Sequence, residues 1–266
     1  MKKGIVFLAA AAAMLLVGCK KDDPSQPQRT TIVGTWSLQQ ENGDDVLTNN
    51  RTIVTYALGG NKHFSLSKYV EELEVWTWKN KAHGTYNLAK NGDFQETVDK
   101  ILYSGSASMA NNSSLAIHLT KSKDTKKGTE KSMDVKYRYS RVPDDLYYED
   151  AIIGLWEGVE MTGDETFGDA NHRWEYYPSQ GGTARYDYLS LNEHDEWKAN
   201  PANNGQYNVH GNWLATTWTN DQGDPEYEWW DIELINDTCM KWLAWRKNDQ
   251  GERYKTTFTL RRVTTE

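Results

Sequence analysis

Six histidines, His63, His83, His118, His172, His194 and His210, are the side chains of this chain best suited to proton transfer or metal ligation. None stands in a His-x-x-x-His pair or beside a cysteine, the spacing that gathers a structural zinc. The densest mixed set is Glu193-His194-Asp195-Glu196. Adjacent residues on a strand or turn diverge, so these four read as a solvated turn rather than as ligands of one ion. No Gly-x-Ser-x-Gly elbow, phosphate loop or Cys-His nucleophile pattern occurs. Asp22-Asp23, Asp44-Asp45 and Asp144-Asp145 are paired carboxylates only along the chain. Glycosidase carboxylates come from separated positions, and nothing here singles out such a pair. The sequence therefore assigns no catalytic residue, no metal ligand and no cofactor.

The informative side chains are aromatic. The chain holds 12 Trp and 15 Tyr, whereas Leu, Ile, Val and Phe together make up about 18%, low for a packed domain. The aromatics supply the missing apolar mass. Nine of the 12 Trp lie in the second half: Trp156, Trp174, Trp197, Trp213, Trp218, Trp229, Trp230, Trp242 and Trp245. Strand parity separates them. Trp229 and Trp230 are neighbours, so one faces in and one out. Trp213 and Trp218 have opposite parity, as do Trp242 and Trp245. Several indoles are thus expected on an outer wall, where an exposed aromatic patch marks a contact with a sugar, the first half of the chain or another protein. Trp213, Trp218, Trp229, Trp230, Trp242 and Trp245 are the candidate ligand-binding aromatics.

The elements that must hold them read as β. Glu252 to Val263 alternates, with Tyr254, Thr256, Phe258 and Leu260 on one face. Asn220-Asp221-Gln222-Gly223 and Asn248-Asp249-Gln250-Gly251 separate strand-like runs and read as hairpin turns with Gly at the left-handed position. Three landmarks recur at a nearly constant offset of 120 or 121. Ile32-Val33-Gly34-Thr35-Trp36 returns as Ile152-Ile153-Gly154-Leu155-Trp156, and Gly84-Thr85-Tyr86-Asn87-Leu88 as Gly205-Gln206-Tyr207-Asn208-Val209. Tyr139-Ser140-Arg141-Val142 returns as Leu260-Arg261-Arg262-Val263. The chain is expected to hold two tandem copies, 31–143 and 152–266, joined by a short acidic linker, 144–151. About eight strands are expected in each. In the first copy they include one run near 93–103, followed by a loop from Gly105 to Ser114 and a solvated hairpin tip from Lys121 to Lys131. No segment shows a sustained helical period.

The N-terminus reads as an address. Lys2-Lys3 precedes an apolar run, Gly4 to Gly18, too short for a confident membrane span. Leu16-Val17-Gly18-Cys19 resembles the bacterial lipobox, which implies a signal peptide over 1–18 and acylation of Cys19. A multiply acylated terminus anchors firmly, at about 0.8 kcal/mol per buried methylene. Lys20-Lys21-Asp22-Asp23 is similar to the charged signal that sends Bacteroidota lipoproteins to the outer cell face. Residues 19–30 are then a lipidated tether. With Cys19 acylated, Cys239 stands alone, so no intrachain disulfide is expected, and its apolar surroundings point to a buried, inert thiol. The formal net charge of −8 argues against a nucleic-acid partner.

An early Gly-x-Trp and a closing Arg on the last strand resemble the lipocalins and the lipocalin-like lipoproteins of Bacteroidota. The matching residues are Gly34, Trp36 and Arg141, and Gly154, Trp156 and Arg262, with Arg261 an alternative by parity. The resemblance implies an all-β fold, two small antiparallel barrels of about eight strands each. In each, the Arg lies across the Trp where first and last strands meet. At about 111 residues a copy is short for that family, and short strands enclose little volume.

Four readings follow. The first is a lipid-anchored outer-membrane, surface-exposed, non-catalytic binding module for a small apolar or amphiphilic ligand. The second is a surface carbohydrate-binding protein using exposed Trp. The third is an accessory subunit that contacts an outer-membrane protein. An enzyme ranks last. The preference for the first rests on the resemblance.

Overall fold

The computed structural model describes residues 31–58, 63–72, 75–144, 146–163, 172–180, 184–199, 204–220 and 222–264, with side chains described outside 63–81. The expected signal peptide 1–18, Cys19 and the tether 19–30 lie outside the described residues. Thr31–Glu266 is one compact unit.

The first sheet contains β1 (Gly34–Glu41), β2 (Asp44–Asp45), β3 (Thr52–Tyr56), β4 (His63–Glu72), β5 (Val75–Leu88), β6 (Asp93–Val98), β7 (Ile101–Asn111), β8 (Ser114–Asp124) and β9 (Glu130–Val142). β1 and β3 to β9 pair in succession and β9 returns to β1, so eight antiparallel strands close into a barrel. β2 is a two-residue edge on β1. Alternation fills the interior. Trp36, Leu38, Val54, Tyr56, Phe94, Leu115, Ile117 and Tyr139 form one buried cluster. On β9 the intervening Asp134, Lys136 and Arg138 are exposed.

Two expectations for this half are corrected. The run near 93–103 is two strands, β6 and β7, joined at Asp99 and Lys100, both at positive φ (46° and 71°). A tight hairpin turn needs that backbone, and the sequence lacks the glycine that usually announces it. The expected loop from Gly105 to Ser114 is mostly β7 and the start of β8. Its small residues allow close strand approach: a Cβ at Gly105 would collide with the backbone of His118 and Leu119.

The second sheet contains β10 (Gly154–Thr162), β11 (His172–Tyr176), β12 (Ala184–Leu191), β13 (Trp197–Ala199), β14 (Gly205–His210), β15 (Trp213–Thr219), β16 (Pro225–Ile235), β17 (Cys239–Lys247) and β18 (Arg253–Arg262). It runs β11-β10-β18-β17-β16-β15-β14-β12-β13, and β11 also pairs with β12. The β16–β17 ladder is incomplete. Its registered pairs run from Ile235↔Met240 to Asp231↔Leu243 and stop there. Gly223 and Gly251 sit at φ +87° and +85° in the two Asn-Asp-Gln-Gly turns. In each turn the leading Asn side chain accepts backbone N–H bonds, as from Gln222 to Asn220 Oδ1 at 3.0 Å and from Glu252 to Asn248 Oδ1 at 2.8 Å.

Between the sheets, the short acidic linker holds one helical turn, α1 (Tyr148–Ala151), whose Tyr148 packs with Val142, Ile152 and Trp156. The sheets also meet face to face. A 3-10 turn, Thr48–Asn50, leads into β3. Thr48 O accepts the indole N–H of Trp213 at 2.7 Å, and Thr48 Oγ1 accepts the backbone N–H of Trp245 at 2.8 Å. Ile53 packs on Trp213 and Ala215. Arg51, fully buried, holds both carboxylate oxygens of Asp231 and the carbonyl of Leu38. Burial raises the Asp231 carboxyl, while the Arg51 guanidinium pulls it down.

Candidate functional site

The Gly-x-Trp positions occupy equivalent places in the two sheets. Trp36 and Trp156 are fully buried. Each donates its indole N–H four residues back, to Ile32 O at 2.8 Å and Ile152 O at 2.7 Å. The Arg141 guanidinium lies 4.2 Å over the Trp36 ring, and that of Arg262 lies 4.1 Å over Trp156. Trp36 is registered with Arg141 and Trp156 with Arg262. Arg141 also donates to Val33 O and Thr31 O, and Arg262 to Ile153 O and Ala151 O. Arg261, the parity alternative, faces outward and binds Glu157 at 2.7 Å. Gly34 and Gly154, at φ +133° and +121°, leave room for the guanidinium. In each sheet these residues lie where the first strand pairs with the last, and they present no reactive group.

The six candidate tryptophans divide as parity requires. Trp218, Trp230 and Trp242 point inward. Trp213, Trp229 and Trp245 face out, and the first half of the chain meets this face through Thr48 and Ile53. Cys239 is a half-buried free thiol. Among the described residues no group of three or more His, Cys, Asp or Glu side chains is placed to hold a metal ion.

The inward set converges on a cleft of about 130 Å³. β11 supplies Trp174 and Tyr176, β12 Tyr186 and Tyr188, β15 Thr216 and Trp218, β16 Glu228 and Trp230, and β17 Trp242. β11, β12, β15 and β16 each contribute two positions two apart and β17 one, so one face of five strands lines the space. The rings pack edge to face and tilted: Trp174 to Trp242 at 5.8 Å and 70°, Trp230 to Trp242 at 5.4 Å and 33°. His172 stacks on Tyr188 at 5.6 Å and bonds its hydroxyl. Burial lowers the His172 pKa, which favours the neutral ring.

Three polar atoms in this lining have no hydrogen-bond partner among the described residues: Tyr176 Oη, Trp230 Nε1 and Trp242 Nε1. Each is a donor, and a buried donor left unpaired costs about 1–3 kcal/mol. At the edge of the cleft Arg246 lies 4.5 Å over the Trp230 ring and binds Glu228 at 2.8 Å. Tyr176, Tyr186, Tyr188, Glu228 and Arg246 were not singled out by sequence reasoning. Their signal was the same alternation that sorted the tryptophans, carried one strand further.

No family model matches the chain, and no curated protein matches it. A solved structure of a porin-like protein from Bacteroides uniformis is similar over 87% of this chain and 98% of that one, at 11% identity and a TM-score of 0.20. That score is too low to carry an argument.

Proposed function

We propose that the chain is a non-catalytic binding protein made of two tandem lipocalin-like barrels, 31–143 and 152–266. We propose further that the second barrel holds a small, flat, apolar or amphiphilic ligand with hydrogen-bond acceptors. One observation carries this reading: three of the residues lining a single aromatic cleft bear a buried donor with no partner among the described residues. A ligand acceptor placed there relieves a standing cost, which makes binding favourable where water is excluded. An apolar cavity of about 150 Å³ holds benzene, so this cleft takes one ring rather than a fatty chain. The pairing of β11 with both β10 and β12 supports a closed second barrel. Glu228, the cleft's carboxylate, is tied to Arg246 rather than poised as a base.

The location proposed is the outer membrane, with Cys19 acylated and the barrels at the cell surface in water. The polarity of the first barrel supports this placement. It is apolar inside and charged outside on β9, whereas a barrel that spans a membrane turns its apolar face to lipid.

The test is Trp fluorescence of protein starting at residue 29, titrated with small aromatic ketones and carboxylates. Saturable change that weakens in Trp242→Phe supports the reading. Absence of any response, or a response unchanged in Trp242→Phe and Trp230→Phe, overturns it. Loss of labelled fatty acid in Cys19→Ala tests the anchor.

A further inference from the structure

Beside the cleft, on the outer side of the sheet, lies a groove of about 270 Å³. Its walls are Thr48 and Asn49 from the first half, Tyr227 and Trp229 from β16, and Trp245 and Lys247 from β17. Glu228 lines both the groove and the cleft. Arg246 lines the groove while covering Trp230, which lines the cleft. Glu228 and Arg246 share the strand parity of the inward Trp230 and Trp242, so side chains of theirs that reach the outer groove would pass through a break in the sheet.

The break is visible in the register. Past Asp231↔Leu243, β16 pairs only with β15 and β17 only with β18. A continued ladder would set Glu228 opposite Arg246 and Trp229 opposite Trp245. The Glu228–Arg246 ion pair and the Thr48 hydroxyl occupy the split instead. That hydroxyl accepts the Trp245 backbone N–H, so an edge group gains a partner from the first half of the chain. Splayed strands held by one part-buried ion pair are easier to part than a hydrogen-bonded ladder, because the backbone bonds of a continued ladder are missing there.

We propose that the groove and the cleft are one site joined through the split, and that its ligand is an aryl carboxylate. Its ring sits in the cleft and its carboxylate in the groove. This rests on the cleft being a ligand site, as proposed above. The chemistry fixes the polarity of the ligand. Trp230 Nε1 and Trp242 Nε1 donate and cannot accept, so the ring in the cleft carries an acceptor of its own, as a pyridine nitrogen is. At the groove, Arg246 is already neutralised by Glu228. Lys247 is exposed and makes no ion pair among the described residues. A carboxylate tail meets a free cation there, and an alcohol or amine tail does not. The Tyr227 and Trp229 rings, 6.4 Å apart and within 15° of parallel, give the stem between ring and carboxylate an apolar wall.

The experiment titrates the full chain with 3-(3-pyridyl)propanoate and with 3-(3-pyridyl)propanol, read by Trp fluorescence. The acid is expected to bind at least about tenfold tighter at low salt, with the preference shrinking as salt rises. Lys247→Met is expected to abolish most of that preference while leaving alcohol affinity unchanged. The paired change Glu228→Gln with Arg246→Met removes the ion pair without stranding a charge, and is expected to speed both association and dissociation. Equal affinity for acid and alcohol in the wild type overturns the carboxylate proposal but leaves the cleft reading standing. So does a preference that survives Lys247→Met. Exchange rates unchanged in the paired variant overturn entry through the split. Binding of neither compound sinks the cleft reading itself.

Discussion

Tyr176 carries a buried hydroxyl that nothing satisfies among the described residues, on a ring packed 5.0 Å from Tyr207 and 5.8 Å from Tyr186. Tyr176→Phe keeps the ring and deletes the orphan. Stability should therefore rise by about 1 kcal/mol, while affinity for an acceptor-bearing ligand falls about tenfold. Denaturant midpoints and fluorescence titrations read the two opposite signs. A variant less stable than wild type would mean the hydroxyl has a partner in solution. Glu96 is a second misfit residue. It shares an interior-facing parity with Phe94 and Val98, and burial pushes its carboxyl from the ordinary 4.5 up to about 7. The folded state then holds a proton that the unfolded state releases between pH 4.5 and 7. Unfolding is favoured as pH rises through that window, by up to about 3 kcal/mol in all. The stability present at pH 4.5 should decline towards pH 7 and level off above it. Glu96→Gln should flatten that slope in urea melts at stepped pH, and a slope unchanged in the variant would remove Glu96 as its cause.

Strands that present one apolar face are the elements the sequence discloses best. Trp229 and Trp230, or Trp242 and Trp245, announce their opposite faces because the side-chain period is 2 whatever the partner strand. Turns disclose themselves less evenly. Asn220 to Gly223 shows its glycine, whereas Asp99 and Lys100 make the same kind of reversal with residues that give no signal. β7 is small and polar along Gly105 to Ser108, so only its neighbours mark it as a strand. The Gly-x-Trp strand can be tested as a unit. A Cβ at Gly154 would sit 2.6 Å from Arg262 Nη1, at a φ of +121° that disfavours any side chain. Gly154→Ala should cost at least about 2 kcal/mol, from backbone strain plus the displaced cation over Trp156. In an Arg262→Ala background the same change should cost only the strain. The gap between the two costs, read from a double-mutant cycle, is the coupling. Equal costs in both backgrounds would show that Arg262 does not hold the strand through that glycine.

At the scale of the molecule the decisive contacts join residues that no local pattern links. Arg51 and Asp231 are 180 positions apart. Asp231 looks like an ordinary surface charge on an outward strand position, and Arg51 like a loop charge before β3, until the two halves meet. The outer tryptophans were legible as a contact surface but not as to what they touch, since a sugar, a partner protein and the other half of the chain all want the same exposed indoles. The buried ion pair decides how the halves behave. Asp231→Asn leaves a guanidinium with no counter-charge in a dry interface, and should cost about 3–5 kcal/mol. Replacing both partners, Arg51→Met with Asp231→Leu, should recover most of that loss, because apolar groups of similar size avoid desolvating any charge. Heat capacity scans give the sharper result. Wild type should melt in one transition, because Trp213, Thr48, Ile53 and the ion pair couple the halves. Asp231→Asn should split the scan into two. A single transition in that variant, at the wild-type temperature, would show that the halves are held by the Trp213 and Ile53 contacts alone. The incomplete β16–β17 ladder is expected to follow the clamp, since Thr48 reaches Trp245 only while the halves are docked.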